Sequence, residues 1–198
     1  MKKLIGIMLY LLFSQAASAV ELGPDQLIRQ TADKVLAQIQ ANAEQYREDP
    51  ARLYALVEEV VLPHFNFEKM TELALGRNRS KVSAEQKPLI INEFRTLLVR
   101  TYGTALLEYN DQVIKYLPMT PSSKEGYATV KSEVEQAGGF PIPLEYKLQL
   151  EDDGWKVYDI SVDEVSLVTN YRSSFTRQIK KNGVDGLIKI LRERNQEE

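Results

Sequence analysis

His64 is the only imidazole in a 198-residue chain that has no cysteine. A Ser-His-Asp triad would have to be built around it, and neither a thiol nucleophile nor a Cys-based metal site can form. His64 stands between Pro63 and Phe65, and no G-x-S-x-G nucleophile elbow occurs. It reads as a structural histidine, and no catalytic residue is assigned. Metal binding has no better footing, because scattered carboxylates and one His lack any ligand spacing of the H-E-x-x-H kind. Glu58-Glu59 and Asp152-Asp153 are adjacent pairs, and adjacent residues do not share a helix face. The first pair reads as solvated surface and the second as a turn. No G-x-x-x-x-G-K-[ST] or G-x-G-x-x-G loop is there to cradle a phosphate. Basic side chains do gather in two places, Arg77, Arg79 and Lys81 in one and Arg172, Arg177, Lys180 and Lys181 in the other. They can meet a phosphate or an acidic partner, or remain ordinary solvated faces. A formal charge of −3 argues against a nucleic-acid binder, which needs a concentrated basic face. Neither a metal nor an organic cofactor is expected.

The first residues carry an address. Lys2 and Lys3 precede an apolar run over 4–13, and Ala17-Ser18-Ala19 offers small residues to a peptidase. This is the three-part pattern of a secretory signal over 1–19, and the run is too short to span a bilayer. An exported, soluble chain over 20–198 follows as the expectation, long enough for one domain with a sizeable core. With Lys2 and Lys3 gone its charge falls from −3 to −5.

The elements that must position any site divide into two halves. Pro24 opens a helical stripe of Leu27, Ile28, Thr31, Val35 and Ile39. Asp49-Pro50 ends it, and Leu53, Leu56, Val57 and Val60 make a second stripe that Pro63 stops. Asn66 reads as an N-cap, with Phe65 and Met70 at the positions of a hydrophobic staple, and Gly76 as the residue that closes the helix. Phe94, Leu97, Leu98, Thr101, Tyr102, Ala105, Leu106 and Tyr109 form the longest stripe, expected to face one way for more than four turns. Ser83-x-x-Gln86 resembles its capping box, with Pro88 expected to kink the helix or shift its start to Lys87.

Strands follow, over 113–117, 129–134, 143–151 and 155–162. The alternation of Leu144, Tyr146, Leu148 and Leu150 predicts a one-sided apolar face. A three-residue Asp152-Asp153-Gly154 loop, with Gly154 at positive φ, pairs Leu148 with Tyr158, Tyr146 with Ile160 and Leu144 with Val162. It also sets Lys147 opposite Asp159 on the outer face. Helix then returns, with Val168, Tyr171, Phe175 and Ile179 as a stripe that Asn182-Gly183 breaks. The prediction is an α+β domain with helices on one face of a four-stranded antiparallel sheet, NTF2-like in outline. The stripe positions Leu98, Tyr102, Leu106, Tyr146, Leu148, Ile160, Val162, Val168, Tyr171 and Phe175 are expected to wall an apolar ligand cavity. On these residues alone the chain reads as an exported binding module.

Two segments carry a resemblance. One runs Asn66-Phe67-Glu68-Lys69-Met70, Leu75-Gly76-Arg77, Ser83-x-Glu85-Gln86, Glu93-Phe94, Leu97-Leu98 and Tyr102. The other runs Trp155-Lys156-Val157-Tyr158-Asp159, Ser166-Leu167-Val168, Asn170-Tyr171-Arg172, Phe175, Gly183 and Gly186-Leu187-Ile188. Together they resemble the MlaC family, the periplasmic phospholipid carriers also called toluene-tolerance auxiliary proteins. The resemblance implies a soluble, monomeric shuttle that takes phospholipid from an outer-membrane lipoprotein–porin complex. It hands the lipid to the MCE-domain subunit of an inner-membrane ABC transporter, maintaining outer-membrane lipid asymmetry. Phospholipid is then cargo, not cofactor. Arg77, Arg79, Lys81, Arg172, Lys180 and Lys181 are expected to dock one of those partner complexes. The alternative is an NTF2-like exported enzyme acting on a small apolar substrate, which would need an acid or base inside the cavity.

Overall fold

Proline and glycine punctuate the helical half where the sequence places them. A computed structural model describes residues 22–108, 112–120, 122–136 and 138–197. The signal expected over 1–19 and Tyr109 lie outside the described residues. Helix α1 (Pro24–Glu48) starts on its proline and buries Leu27, Ile28, Val35, Ile39 and Tyr46. Asp49 leaves the helical region and accepts from the Ala51 N–H at 3.2 Å, capping α2 (Pro50–Val60). Pro63 falls in a 3₁₀ turn, Leu62–His64. Asn66 Oδ1 accepts from the Lys69 N–H at 2.7 Å and caps α3 (Phe67–Leu75). Phe65 and Met70 pack into the same cluster, as a staple requires. Gly76 ends α3 at φ 55°.

Helix α4 (Gln86–Gly103) starts within one residue of the expected Lys87, the second of the two alternatives at Pro88, and corrects one other expectation. The capping box forms: the Gln86 N–H donates to Ser83 Oγ at 3.3 Å and the Ser83 N–H to Gln86 Oε1 at 3.0 Å. Pro88 then sits in the first turn, where amide hydrogens have no intrahelical acceptor to lose, so the helix is not kinked. The long stripe does not hold one direction. Ile90, Phe94, Leu97 and Leu98 are buried against α3 and α5, but Thr101 and Tyr102 are exposed. At Gly103, which lies against the Tyr54 ring, the chain tightens into a 3₁₀ turn, Thr104–Glu108. That change of pitch turns Leu106 into a separate cluster with Val35, Ile39 and Leu53 of α1 and α2.

The sheet is an antiparallel meander, β1 (Ile114–Tyr116), β2 (Tyr127–Val134), β3 (Ile142–Glu151), β4 (Gly154–Val162) and β5 (Val165–Ser166), in that spatial order. It has five strands, not four. The turn into β5 uses Asp163 and Glu164 at φ 49° and 64°, a tight reversal without the usual glycine or asparagine. The hairpin β3–β4 keeps most of its expected register: Tyr146 pairs with Ile160, Leu144 with Val162 and Lys147 with Asp159. Near the turn it differs. Glu151 pairs with Gly154 across a two-residue Asp152-Asp153 turn, so Leu148 faces Val157 rather than Tyr158. A bulge at Tyr158 restores the offset.

Helices touch both faces, not one. On the apolar face Leu27 and Ile28 of α1 pack on Ala128, Val130, Leu148 and Val157. On the polar face Lys69 of α3 lies 4.0 Å from the Tyr158 ring centre and hydrogen-bonds Gln149. Phe65 bridges Val157 in parallel, and the Asn66 N–H donates to the Val157 carbonyl at 2.9 Å, so this segment covers the outer edge of β4. Helix α5 (Leu167–Glu197) breaks at Gly183, φ 70°. Its start is tied to β4: Asp159 accepts from Ser166 Oγ at 2.8 Å and from the Val168 N–H at 3.3 Å. Its end is tied to α4, where Arg192 and Asn195 donate to Glu93 at 3.0 and 2.8 Å. No helix among the described residues is long and apolar enough to cross a membrane.

Gly154 has φ 108°, and a Cβ there would meet nothing within 4 Å. Gly154→Val is therefore strained by its backbone alone and should cost about 1–3 kcal/mol. A lower urea midpoint at unchanged m value is the expected reading. Wild-type stability would show that the turn relaxes to another form.

Candidate functional site

Pairing across β2, β3 and β4 stacks apolar side chains in rows. Ala128, Leu148 and Val157 form one row, Val130, Tyr146 and Ile160 the next, then Ser132, Leu144 and Val162, and last Val134 and Ile142. Along β3 and β4 burial falls through this series, while on β2 Ala128, Val130 and Ser132 all stay buried. Leu148 and Val157 are fully covered by α1 and Phe65. Leu144, Tyr146, Ile160, Val162, Val134 and Ile142 are only half-buried. Beyond these rows Val165, opposite Val162, and Phe140 in the β2–β3 loop are exposed, Phe140 at 94%. On β3 and β4 the face is thus fully covered at Leu148 and Val157 and only partly covered on either side, with Leu150 by the turn 38% exposed and the rows toward the β2–β3 loop half-buried.

Two hydroxyls are the only polar side-chain groups in these rows. Burial pushes the Tyr146 phenol above its ordinary pKa, with the neighbouring Ser132 hydroxyl acting in the other direction. No carboxylate, amine or imidazole stands in the rows. The charges lie on the opposite face, where Lys131 meets Glu145 at 3.2 Å and Lys147 meets Asp159 at 3.5 Å. His64 is half-buried, and burial with the positive charges of Lys156 and Lys34 holds its pKa below 6.5. Among the described residues no three His, Cys, Asp or Glu side chains converge as metal ligands.

The ten expected wall residues do not share one surface. Leu98, Val168 and Phe175 are buried in the α3–α4–α5 cluster, with Tyr171 packed against it. Leu148 is buried in the sheet cluster, flanked by Tyr146 and Ile160. Leu106 belongs to the α1–α2 cluster, Val162 is half-buried beside Leu144, and Tyr102 is 37% exposed. The sequence reading missed Val134, Ile142 and Leu144 as residues of this half-buried face, although the alternation that placed Tyr146 and Leu148 also contains Leu144. Two hollows, of about 430 Å³ beside Leu89 and Ile188 and about 340 Å³ beside Gly76 and Arg79, lie on the helices and not on the sheet.

The basic clusters are brought together. Asn78 Nδ2 donates to Thr176 Oγ1 at 3.3 Å, setting the turn that bears Arg77, Arg79 and Lys81 against α5. Arg172 is engaged structurally: its Nε donates to the Leu73 carbonyl at 2.8 Å, satisfying an end of α3. Its side chain also packs on Gly76, where a Cβ would come within 3.3 Å. Lys180 and Lys181 are exposed.

A one-sidedly apolar antiparallel meander, roofed by a helix at one end and buttressed by a separate helical cluster, defines the class of this α+β domain. The MlaC protein family matches residues 29–193, and the chain belongs to that family. It is 30% identical to the intermembrane phospholipid transport system binding protein MlaC of Haemophilus influenzae, over 85% of this chain and 80% of that protein. It is 27% identical to the toluene tolerance protein ttg2D of Pseudomonas putida, over 82% and 75%. A phospholipid-binding protein from Ralstonia solanacearum, solved in complex with a phospholipid, has the same fold with a TM-score of 0.81 and 31% identity, over 89% and 98% of the two chains.

Tyr171 gives a test of the packing. Burial, then the neighbouring Tyr102, raises its pKa to about 12, against a lowering hydrogen bond from Thr101. An unfolded tyrosine ionises near ~10. The stability linked to this phenol is therefore whole below about pH 10 and lost as pH rises through about 12. Denaturation midpoints should fall more steeply over that window for the native chain than for Tyr171→Phe. Parallel curves would show that the phenol is not shifted.

Proposed function

We propose that this chain is an exported carrier that holds a diacyl phospholipid on the apolar face of its sheet. The observation that carries this reading is the patch of half-buried apolar side chains on that face, Leu144, Tyr146, Ile160 and Val162, together with a relative of the same fold that holds a phospholipid. A lipid with ~30 chain methylenes loses on the order of 24 kcal/mol on exposure to water, at ~0.8 kcal/mol per CH₂. Free passage through water is negligible, and a carrier must offer comparable apolar cover. The half-buried rows Leu144–Val162 and Tyr146–Ile160 take the chains first. Leu98, Val168, Tyr171 and Phe175 then form the helical wall that parts to make room, with Leu106 and Tyr102 at the α4 end. The headgroup stays in water, which avoids its desolvation.

In this reading a signal over 1–19 directs the chain to the periplasm, where it works as a soluble monomer, NTF2-like in outline. It moves phospholipid between an outer-membrane lipoprotein–porin complex and the MCE-domain subunit of an inner-membrane ABC transporter, and so serves outer-membrane lipid asymmetry. The names of its relatives support that setting. An enzyme on this scaffold would need an acid or base on the apolar face, where the rows present two hydroxyls.

Mass spectrometry of solvent extracts from the purified protein is the direct test. Co-purified diacyl phospholipid at near one per chain is expected. Empty protein, or protein that turns over a small substrate, would overturn the proposal. Substitutions refine it. Leu148 is fully buried, so Leu148→Glu should unfold the domain. Val162→Glu, at the half-buried end, should lower bound lipid severalfold with the fold intact by circular dichroism. Undiminished lipid in that variant would remove Val162 from the wall.

A further inference from the structure

The two basic clusters that are far apart in sequence form one charge-segregated face. Stretches 73–84 and 165–184 contain no Asp or Glu, yet hold seven of the chain's 25 Lys and Arg. With the whole chain at −3, everything outside them stands at −10. The fold joins the stretches through Asn78–Thr176 and Arg172–Leu73. Arg172, Thr176 and Lys180 recur at spacings of four and share one side of α5, with Arg177 and Lys181 beside them. All five are exposed, as are Arg77, Arg79 and Lys81. Three of the bordering acids are held, Glu72 by Lys87 at 2.9 Å, Glu85 by Ser83 at 2.7 Å and Asp185 by Gln86 at 2.5 Å, while Asp163 and Glu164 stand exposed at the start of the second stretch.

We propose that this face rests on an anionic phospholipid bilayer, with charge alone as the attraction. Both a lipid surface and an acidic protein would match its sign. The absence of an anchor decides between them. Stable protein interfaces centre on buried aromatic or apolar side chains. Among the described residues, none of the well-exposed large apolar side chains falls within 76–81 or 172–181. Long, mobile cations without such a centre suit a fluid array of phosphates, which needs no matching shape. The hollow of about 340 Å³ lined by Gly76, Arg77, Arg79 and Ser80 has the volume for a phosphate-bearing headgroup beside two arginines. The remaining −10 is repelled by the same surface, so the molecule meets it in one orientation. This surface stands on charge and is independent of the cargo.

Co-flotation of the mature protein with phosphatidylcholine vesicles, with and without phosphatidylglycerol, tests the proposal. Binding should require phosphatidylglycerol and fade as salt rises. Arg77→Glu/Arg79→Glu and Lys180→Glu/Lys181→Glu should each cut the partition by at least about 25-fold, from about fivefold per basic side chain removed. Lys34→Glu/Lys115→Glu, away from this face, should leave it unchanged. Arg172 is left intact because it closes α3. Lipid extracted from the same preparations should not change, so failure here leaves the cargo reading standing, and the reverse. Lack of phosphatidylglycerol-dependent binding at low salt overturns the proposal and leaves the face to an acidic protein. Binding that survives both reversals overturns it as well.

Discussion

The arrangement depends on one buried carboxylate. Asp159 is 6% exposed, and its position on β4 is set by the bulge one residue earlier. From there it accepts from Ser166 Oγ and from the Val168 N–H in the first turn of α5, while Lys147 approaches at 3.5 Å. Ser166 in turn accepts from the Thr169 N–H at 3.1 Å. The positive end of a long helix and a lysine thus offset the cost of burying the charge. Val168, Phe175 and Ile179 all ride on that helix into the core with α3 and α4. The angle between sheet and helical cluster is held at this junction.

Local chemistry made much of the fold legible. The cap at Asn66, the Phe65–Met70 staple and the breaks at Asp49-Pro50, Gly76 and Gly183 act over a few residues and need no tertiary context. The hairpin shows where such reading stops. A three-residue loop, and a two-residue turn followed by one bulged residue, give the same pairing from Lys147 onward. The spacing of apolar residues cannot distinguish them, and the four pairs from Leu148–Val157 to Glu151–Gly154 reveal the difference. Strand β5 was hidden for a related reason, since Asp163-Glu164 lacks the glycine or asparagine that usually marks a left-handed turn. Helix α4 deceived through length. A stripe that continues in sequence does not continue in space once Gly103 tightens the helix.

The candidate site itself was half legible. Alternation in β3 identifies its apolar face, yet periodicity does not tell a fully covered position from a half-covered one. Leu148 and Leu144 look alike in the sequence and differ in what lies above them: α1 reaches the first and stops short of the second. The basic face is a different case. Its two halves lie nearly a hundred residues apart in sequence, and only the packing of the turn after α3 against α5 joins them. The same contact gives Arg172 a structural duty that its sequence neighbours lack, so a residue grouped with Lys180 by charge is separated from it by function.

The Phe65–Val157 bridge has a consequence for solution behaviour. A domain that bares an apolar sheet face, even briefly, offers what cross-β assembly requires if its edge amides are also free. Here the chain around Asn66 occupies the outer edge of β4, β5 is two residues long before it becomes helix, and β1 spans three. A second copy meeting the bared face finds no long row of unpaired amides on which to stack. Among the described residues the sheet thus bares apolar surface without a long strand edge beside it to serve as a template.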